Sequence, residues 1–222
     1  MQRHAIEEHA PLFVTGASGY LGRHLIPCLI ARGHQVTALA RPAAARHVPQ
    51  GCRVIVGDAL QTASYAEQVP PGATFIHLVG VAHPSPAKHA EFRSIDLASL
   101  RCALEAAQHA ASQHFIYVSV AHPAPVMHSF IAARREGEAL LRGSGLPATI
   151  LRPWYVLGPG HRWPYLLLPA YWLLECLPAT RDTARRLRPV RLRQMVSALC
   201  DAVEHPARGV RIMDAAAIAG FD

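Results

Sequence analysis

The chain has 222 residues, 51% hydrophobic and 7% aromatic, with a formal net charge of +7, which is enough chain for one domain with a buried core. Its arginines are scattered up to residue 181 and are not interleaved with aromatics, so the composition argues against a nucleic-acid reader and for attraction of an anionic small ligand.

The first segment, residues 12–32, runs from an apolar stretch, Leu12 to Val14, through Gly16, Gly19 and Gly22, into a helical pattern from Tyr20 to Arg32. Strand, glycine turn and helix in this order form the cradle for a dinucleotide pyrophosphate. Gly16 permits the tight turn, Gly19 lets phosphates approach the backbone, and Gly22 lets the helix pack on the strand. The helix N-terminus offers free N–H groups and a positive dipole end. The alternative is a glycine-rich turn without a ligand. No Gly-Lys-Ser/Thr follows, so a P-loop is excluded.

Strand-like segments follow at Gln35–Leu39, Arg53–Val56, Thr74–Val79, His114–Ser119 and Ala148–Leu151, separated by helical patterns at His89–His109 and Val126–Arg142. Short apolar strands alternating with helices predict an α/β fold, a Rossmann-type doubly wound parallel sheet. After Arg152 prolines become frequent, an apolar stretch spans Trp163–Leu177, a basic run spans Arg181–Arg193, and a helix (Arg191–Glu204) and a strand (Gly209–Met213) close the chain. We read residues 1–222 as a single domain in which residues 153–222 form a small cap over the carboxyl edge of the sheet. The Trp163–Leu177 segment reads as a helix pair finishing the core, as an apolar wall for substrate, or as a surface for peripheral docking on a membrane or protein, with Arg185, Arg186 and Arg188 beside it. It is too short to cross a bilayer, which takes roughly 20 apolar residues.

Five widely spaced cysteines without a CxxC pair read as reduced, buried thiols, and with the polar opening MQRHAIEEHA they suggest a cytoplasmic protein. None of the fourteen histidines pairs with cysteines at metal-ligand spacing, so no metal site is expected.

The end of the second strand, HQVTALARP, lacks the acid that holds a ribose 2′-hydroxyl and carries Arg41 instead. A guanidinium can grip a 2′-phosphate, so NADP is favoured over NAD. Arg23 and Arg46 are candidate helpers, and the bland reading of Arg41 is a solvated loop arginine. Asp58 suits either the adenine amino group or the cap of the following turn.

The run TGASGYLG, the pair Gly57-Asp58, the strand FIYVS and the segment LRGSGLPATILRP together resemble the short-chain dehydrogenase/reductase superfamily. The likeness is to its atypical and extended branch, which holds NAD-dependent epimerase/dehydratase-like and NmrA-like proteins, and it covers residues 11–160 best. The resemblance implies bound NAD(P) touching Thr15, Gly16, Ser18, Gly19, Tyr20, Leu21, Gly22, Arg41, Asp58, Ala59, Val79, Gly80, Ser119, Arg134 and Pro153. It also implies substrate over the carboxyl ends of the strands.

Members that perform redox chemistry carry a Tyr-x-x-x-Lys pair on the helix after the fifth strand. Here those positions hold Phe130 and Arg134, and the neighbouring serine position falls at Val120, one residue after Ser119. Phenylalanine has no proton to give, and arginine is no acid or base near neutral pH. Replacement proton donors are His83, His122, His128 and Tyr155, of which His128 lies two residues before Phe130. Three readings follow: an NADP(H)-dependent oxidoreductase on a small apolar carbonyl compound, a non-catalytic redox sensor or structural subunit, and, more weakly, a sugar-nucleotide epimerase.

Overall fold

The computed structural model describes residues 10–82, 84–159 and 181–221. In chain order the strands are β1 (Leu12–Thr15), β2 (Val36–Ala40), β3 (Arg53–Val56), β4 (Thr74–His77), β5 (His114–Val118), β6 (Ala148–Arg152), β7 (Val156–Leu157), β8 (Val190–Arg191) and β9 (Val210–Asp214). The helices are α1 (Tyr20–Ala31), α2 (His89–Glu91), α3 (Ala98–His109), α4 (His128–Gly143), α5 (Arg181–Arg186), α6 (Leu192–Glu204) and α7 (Ala215–Ala219).

Seven strands form one sheet in the order β3-β2-β1-β4-β5-β6-β9, every pair parallel. The order reverses between β1 and β4, the switch point where a doubly wound sheet opens its crevice. Both faces are covered, which is why strands such as LFVT and TFIH are buried along their whole length. On one face α1, α6 and α7 bring Leu25, Ile26, Leu29, Met195, Leu199 and Ile218 against the sheet. On the other, α3 and Leu141 of α4 pack with Tyr65, Phe75 and Phe115. Phe75 and Phe115 stack at 5.2 Å between adjacent strands.

Three local departures from the sequence reading shape the site. β4 ends at His77, so the chain leaves the sheet early and crosses over Gly16. The helical pattern of residues 89–109 is broken by a π-helical turn, Phe92–Leu97, whose widened geometry buries Asp96 beside two apolar neighbours. The C-terminal part does not simply cap the carboxyl edge: α6 lies against α1, where the Cys200 thiol donates to Cys28 Sγ at 3.4 Å, and β9 completes the sheet. The expected helix pair at Trp163–Leu177 lies outside the described residues.

Candidate functional site

The glycine turn is built by contact. Gly16 has φ +75°, and a Cβ there would stand 2.7 Å from the Leu78 carbonyl carbon and 2.9 Å from the Val79 nitrogen. Both obstacles are backbone and cannot move aside. Gly19 donates its N–H to the Gly16 carbonyl at 3.0 Å. A Cβ on Gly22 would overlap the Ala17 carbonyl and stand 2.6 Å from that of Gly16, so helix and turn pack at bare-backbone distance. α1 starts at Gly19 without a side-chain cap and without an acid in its first turn. Among the described residues no side chain caps this helix start and no acid meets its positive dipole end, which fits an incoming pyrophosphate. Thr15 is buried beneath the turn, while Ser18, Tyr20 and Leu21 are half-buried around it.

Arg41 sits just past β2 and is exposed; its carbonyl accepts from Ala44 and Ala45 at 2.9 and 3.0 Å, which holds the backbone in a short 3-10 turn. Its guanidinium makes no ion pair with the described residues. Asp58 follows β3. Its Oδ1 accepts the Leu60 N–H at 3.0 Å and its own N–H donates to Ser64 Oγ at 2.9 Å, so the turn-capping use is realised. Ala59 packs half-buried beside it.

Arg134 and Phe130 on α4 form a closed structural unit with their neighbours. Arg134 donates to the Val118 carbonyl at 2.8 Å and lies 3.4 Å from Asp96 Oδ1. The Tyr117 and Phe130 rings stand 5.6 and 5.2 Å from the guanidinium carbon, so the cation lies against two aromatic faces. Asp96 in turn accepts the Val81 N–H at 2.7 Å. A Cβ on Gly80 would stand 2.5 Å from Arg134 Nη2. Val79 and Gly80 thus leave β4 directly over this buried pair. Burial pushes the Asp96 carboxyl up, against the opposing pull of Arg134 and the Val81 N–H. Sequence reasoning identified Arg134 but missed Asp96, because a polar residue in an apolar helical pattern carries no partner label.

A second buried cluster closes the end of β5. Ser119 donates to Glu138 Oε1 at 2.7 Å. Arg152, at the end of β6, grips the same carboxylate with Nε at 2.9 Å and with Nη2, and Arg142 reaches Oε2 at 3.2 Å. Burial alone would push Glu138 up, but the hydrogen bonds from Arg152 and Ser119 prevail and hold it below its ordinary range. Pro153 is buried, and its carbonyl accepts the Ala121 N–H at 2.9 Å.

Of the proposed proton donors, His128 is exposed at the start of α4. Tyr155 is half-buried, edge-on to Trp154 at 5.5 Å, and burial pushes its hydroxyl pKa up. His122 is partly buried on the loop after β5, with Nδ1 3.0 Å from the Val120 carbonyl. His83 lies outside the described residues. Beneath the crevice, and not anticipated from sequence, the Thr15 hydroxyl meets His77 Nδ1 at 2.9 Å, and Ser99 Oγ lies 3.4 Å from Nε2. Among the described residues no group of three or more His, Cys, Asp or Glu could hold a metal ion. No helix among them is long and apolar enough to cross a membrane.

A parallel sheet reversing at β1/β4, with a bare glycine turn and an uncapped helix start at that point, defines a Rossmann-type dinucleotide-binding protein. The chain belongs to the NAD(P)H-binding family, whose model matches residues 16–162. It is 30% identical over 184 residues to the ceramide reductase of Caulobacter vibrioides, a match covering 82% of this chain and 57% of that protein. It is 29% identical over 168 residues to the 4-hydroxy-2-methyl-3-oxo-4-farnesyl-3,4-dihydroquinoline-1-oxide ketoreductase of Stigmatella aurantiaca, covering 66% of this chain and 50% of the relative. The chain therefore spans about half the length of these relatives. In fold it is similar to the Bordetella bronchiseptica enzyme WbmH in complex with NAD+ (TM-score 0.68, 17% identity, 92% of this chain and 75% of that one). It is similar in the same way to the UDP-glucose 4-epimerase of Thermus thermophilus in complex with NAD (TM-score 0.68, 17% identity, 94% and 81%).

Proposed function

We propose that this protein is an NADP(H)-dependent reductase acting on a carbonyl group of a small apolar molecule. The observation that carries the reading is the turn at Gly16, Gly19 and Gly22, where a Cβ would occupy the space between β1, the β4 exit and α1. A pyrophosphate would lie on that backbone, with Arg41 reaching a 2′-phosphate and Val79 and Gly80 flooring the nicotinamide side. Bound reduced nicotinamide supplies a hydride to a carbonyl carbon. The chain must hold the substrate, exclude water and deliver one proton. The names of the similar proteins support reduction, and two of those names, ceramide and a farnesyl-bearing quinoline, describe substrates with long apolar parts.

The caging of Arg134 by Val118, Asp96, Tyr117 and Phe130 supports a second reading, a cofactor-binding protein without turnover. Titration of the purified protein with NADPH, NADP, NADH and NAD, followed by a carbonyl panel monitored at the nicotinamide absorbance, separates the two. Tight binding with turnover supports the reductase, binding without turnover supports the sensor or subunit, and no binding removes both.

A further inference from the structure

We propose that His122 is the proton donor of the reduction, taking the part that a tyrosine on α4 would otherwise play; the inference rests on the reductase reading above.

Most protons near the end of β5 are already committed. The Ser119 hydroxyl gives its proton to Glu138 at 2.7 Å, so this oxygen can accept a hydrogen bond from a substrate but not donate one to a carbonyl. Phe130 carries no proton, and Arg134 holds its protons on Val118 and Asp96 inside the core. His122 follows three residues after Ser119 on the same loop, at the carboxyl edge of the sheet.

One ring nitrogen of His122 is held by the backbone. Nδ1 lies 3.0 Å from the Val120 carbonyl, and a carbonyl only accepts, so Nδ1 carries a proton in both charge states. That fixes the Nδ1–H form and leaves Nε2 as the nitrogen that can serve a substrate. The loop itself is tied on both sides, by the Ala121 N–H to Pro153 at 2.9 Å and by Arg186 Nε to the Pro123 carbonyl at 3.1 Å. The charges around it come from three elements: Glu138 and Arg142 on α4, Arg152 on β6 and Arg186 on α5. Glu138 attracts an imidazolium at 122, and the arginines oppose it while keeping that carboxylate ionised.

In the chemical step the carbonyl carbon accepts a hydride from reduced nicotinamide, the carbonyl oxygen takes the proton from His122 Nε2, and the N–H bonding electrons stay on nitrogen. An alcohol and a neutral imidazole result, and solvent reprotonates the ring.

The test uses the full chain with NADPH and a long-chain methyl ketone, a quinone and an aryl ketone. His122→Gln should bind NADPH within about twofold of wild type and lose roughly a hundredfold or more in kcat, the range of a positioned acid. His122→Ala should be partly rescued by added imidazole, a response that a merely structural histidine does not give. Equal kcat for wild type and His122→Gln overturns the assignment, as does loss in His128→Ala alone. If wild type binds NADPH but reduces none of the three carbonyl compounds, the reductase reading fails and this assignment with it.

Discussion

Arg134 and Asp96 form an ion pair, Nη2 to Oδ1 3.4 Å, with side chains only 9% and 1% exposed. The pair lies under Gly80, beside the crevice, and joins α4, the π-helical turn and the exit of β4 in one contact. Such a pair is poor evidence of net stabilisation, but removing one partner strands the other charge in the core. Asp96→Ala should therefore cost about 3–5 kcal/mol of unfolding free energy. Asp96→Asn, which can still accept the Val81 N–H, should cost less. Urea unfolding midpoints check both, and a loss below about 1 kcal/mol for Asp96→Ala would show that Arg134 finds another partner.

Two glycines with similar backbone conformation should respond differently. Gly16 (φ +75°) has Leu78 and Val79 backbone atoms where a Cβ would go, while Gly33 (φ +86°) has nothing within 4 Å. Alanine at either position carries the left-handed penalty of roughly 1–2 kcal/mol. Only Gly16→Ala must also push β1 away from β4, so it should lose NADPH binding outright. Gly33→Ala should bind NADPH as wild type does. Fluorescence titration of both variants is the check, and equal affinities would mean that the turn does not carry the nucleotide.

The parts of the fold set by local pattern were legible in the sequence. Short apolar runs placed β3 to the residue and the ends of β1, β2, β5, β6 and β9 to within a residue or so. The β1/β4 crossing and the π-helical turn were not legible, because each is imposed by a distant contact: Gly16 with Leu78, and Asp96 with Arg134 and Val81. The glycine turn was readable because its residues adjoin in sequence. The couples Ser119–Glu138 and Thr15–His77 were not, since pairing across 19 and 62 residues leaves no spacing signal. Asp58 shows a limit of another kind, for a residue that caps its own turn looks in sequence like one that awaits a ligand.

Arg41 should decide the choice of nucleotide. It is exposed at the end of β2, and no acid follows it before Asp58. A charge-assisted hydrogen bond to a 2′-phosphate is worth about 1.5–3 kcal/mol. Arg41→Ala should weaken NADPH by about ten- to a hundredfold and leave NADH nearly unchanged. If both weaken equally, the arginine acts on the general field of the site and the preference lies elsewhere.

Two buried histidines should make the fold sensitive to mild acid. Burial drives His77 down to about 3, with the nearby Arg134 charge acting the same way, and burial drives His114 down to about 4, helped by Arg211. Both are neutral in the folded protein, hydrogen-bonded to Thr15 and Thr149. In the unfolded chain they take up protons near pH 6.5. Between about pH 6.5 and 4 the unfolded state therefore binds more protons, and stability falls as the pH is lowered. Above pH 6.5 both states are neutral and the histidines add no slope. Linkage gives a loss of about 2 kcal/mol for the pair between pH 6 and 5. Urea melts at half-unit pH steps measure the slope. His114→Gln should remove about half of it; a slope that is flat in wild type, or unchanged in the variant, would show that these rings do not titrate on unfolding.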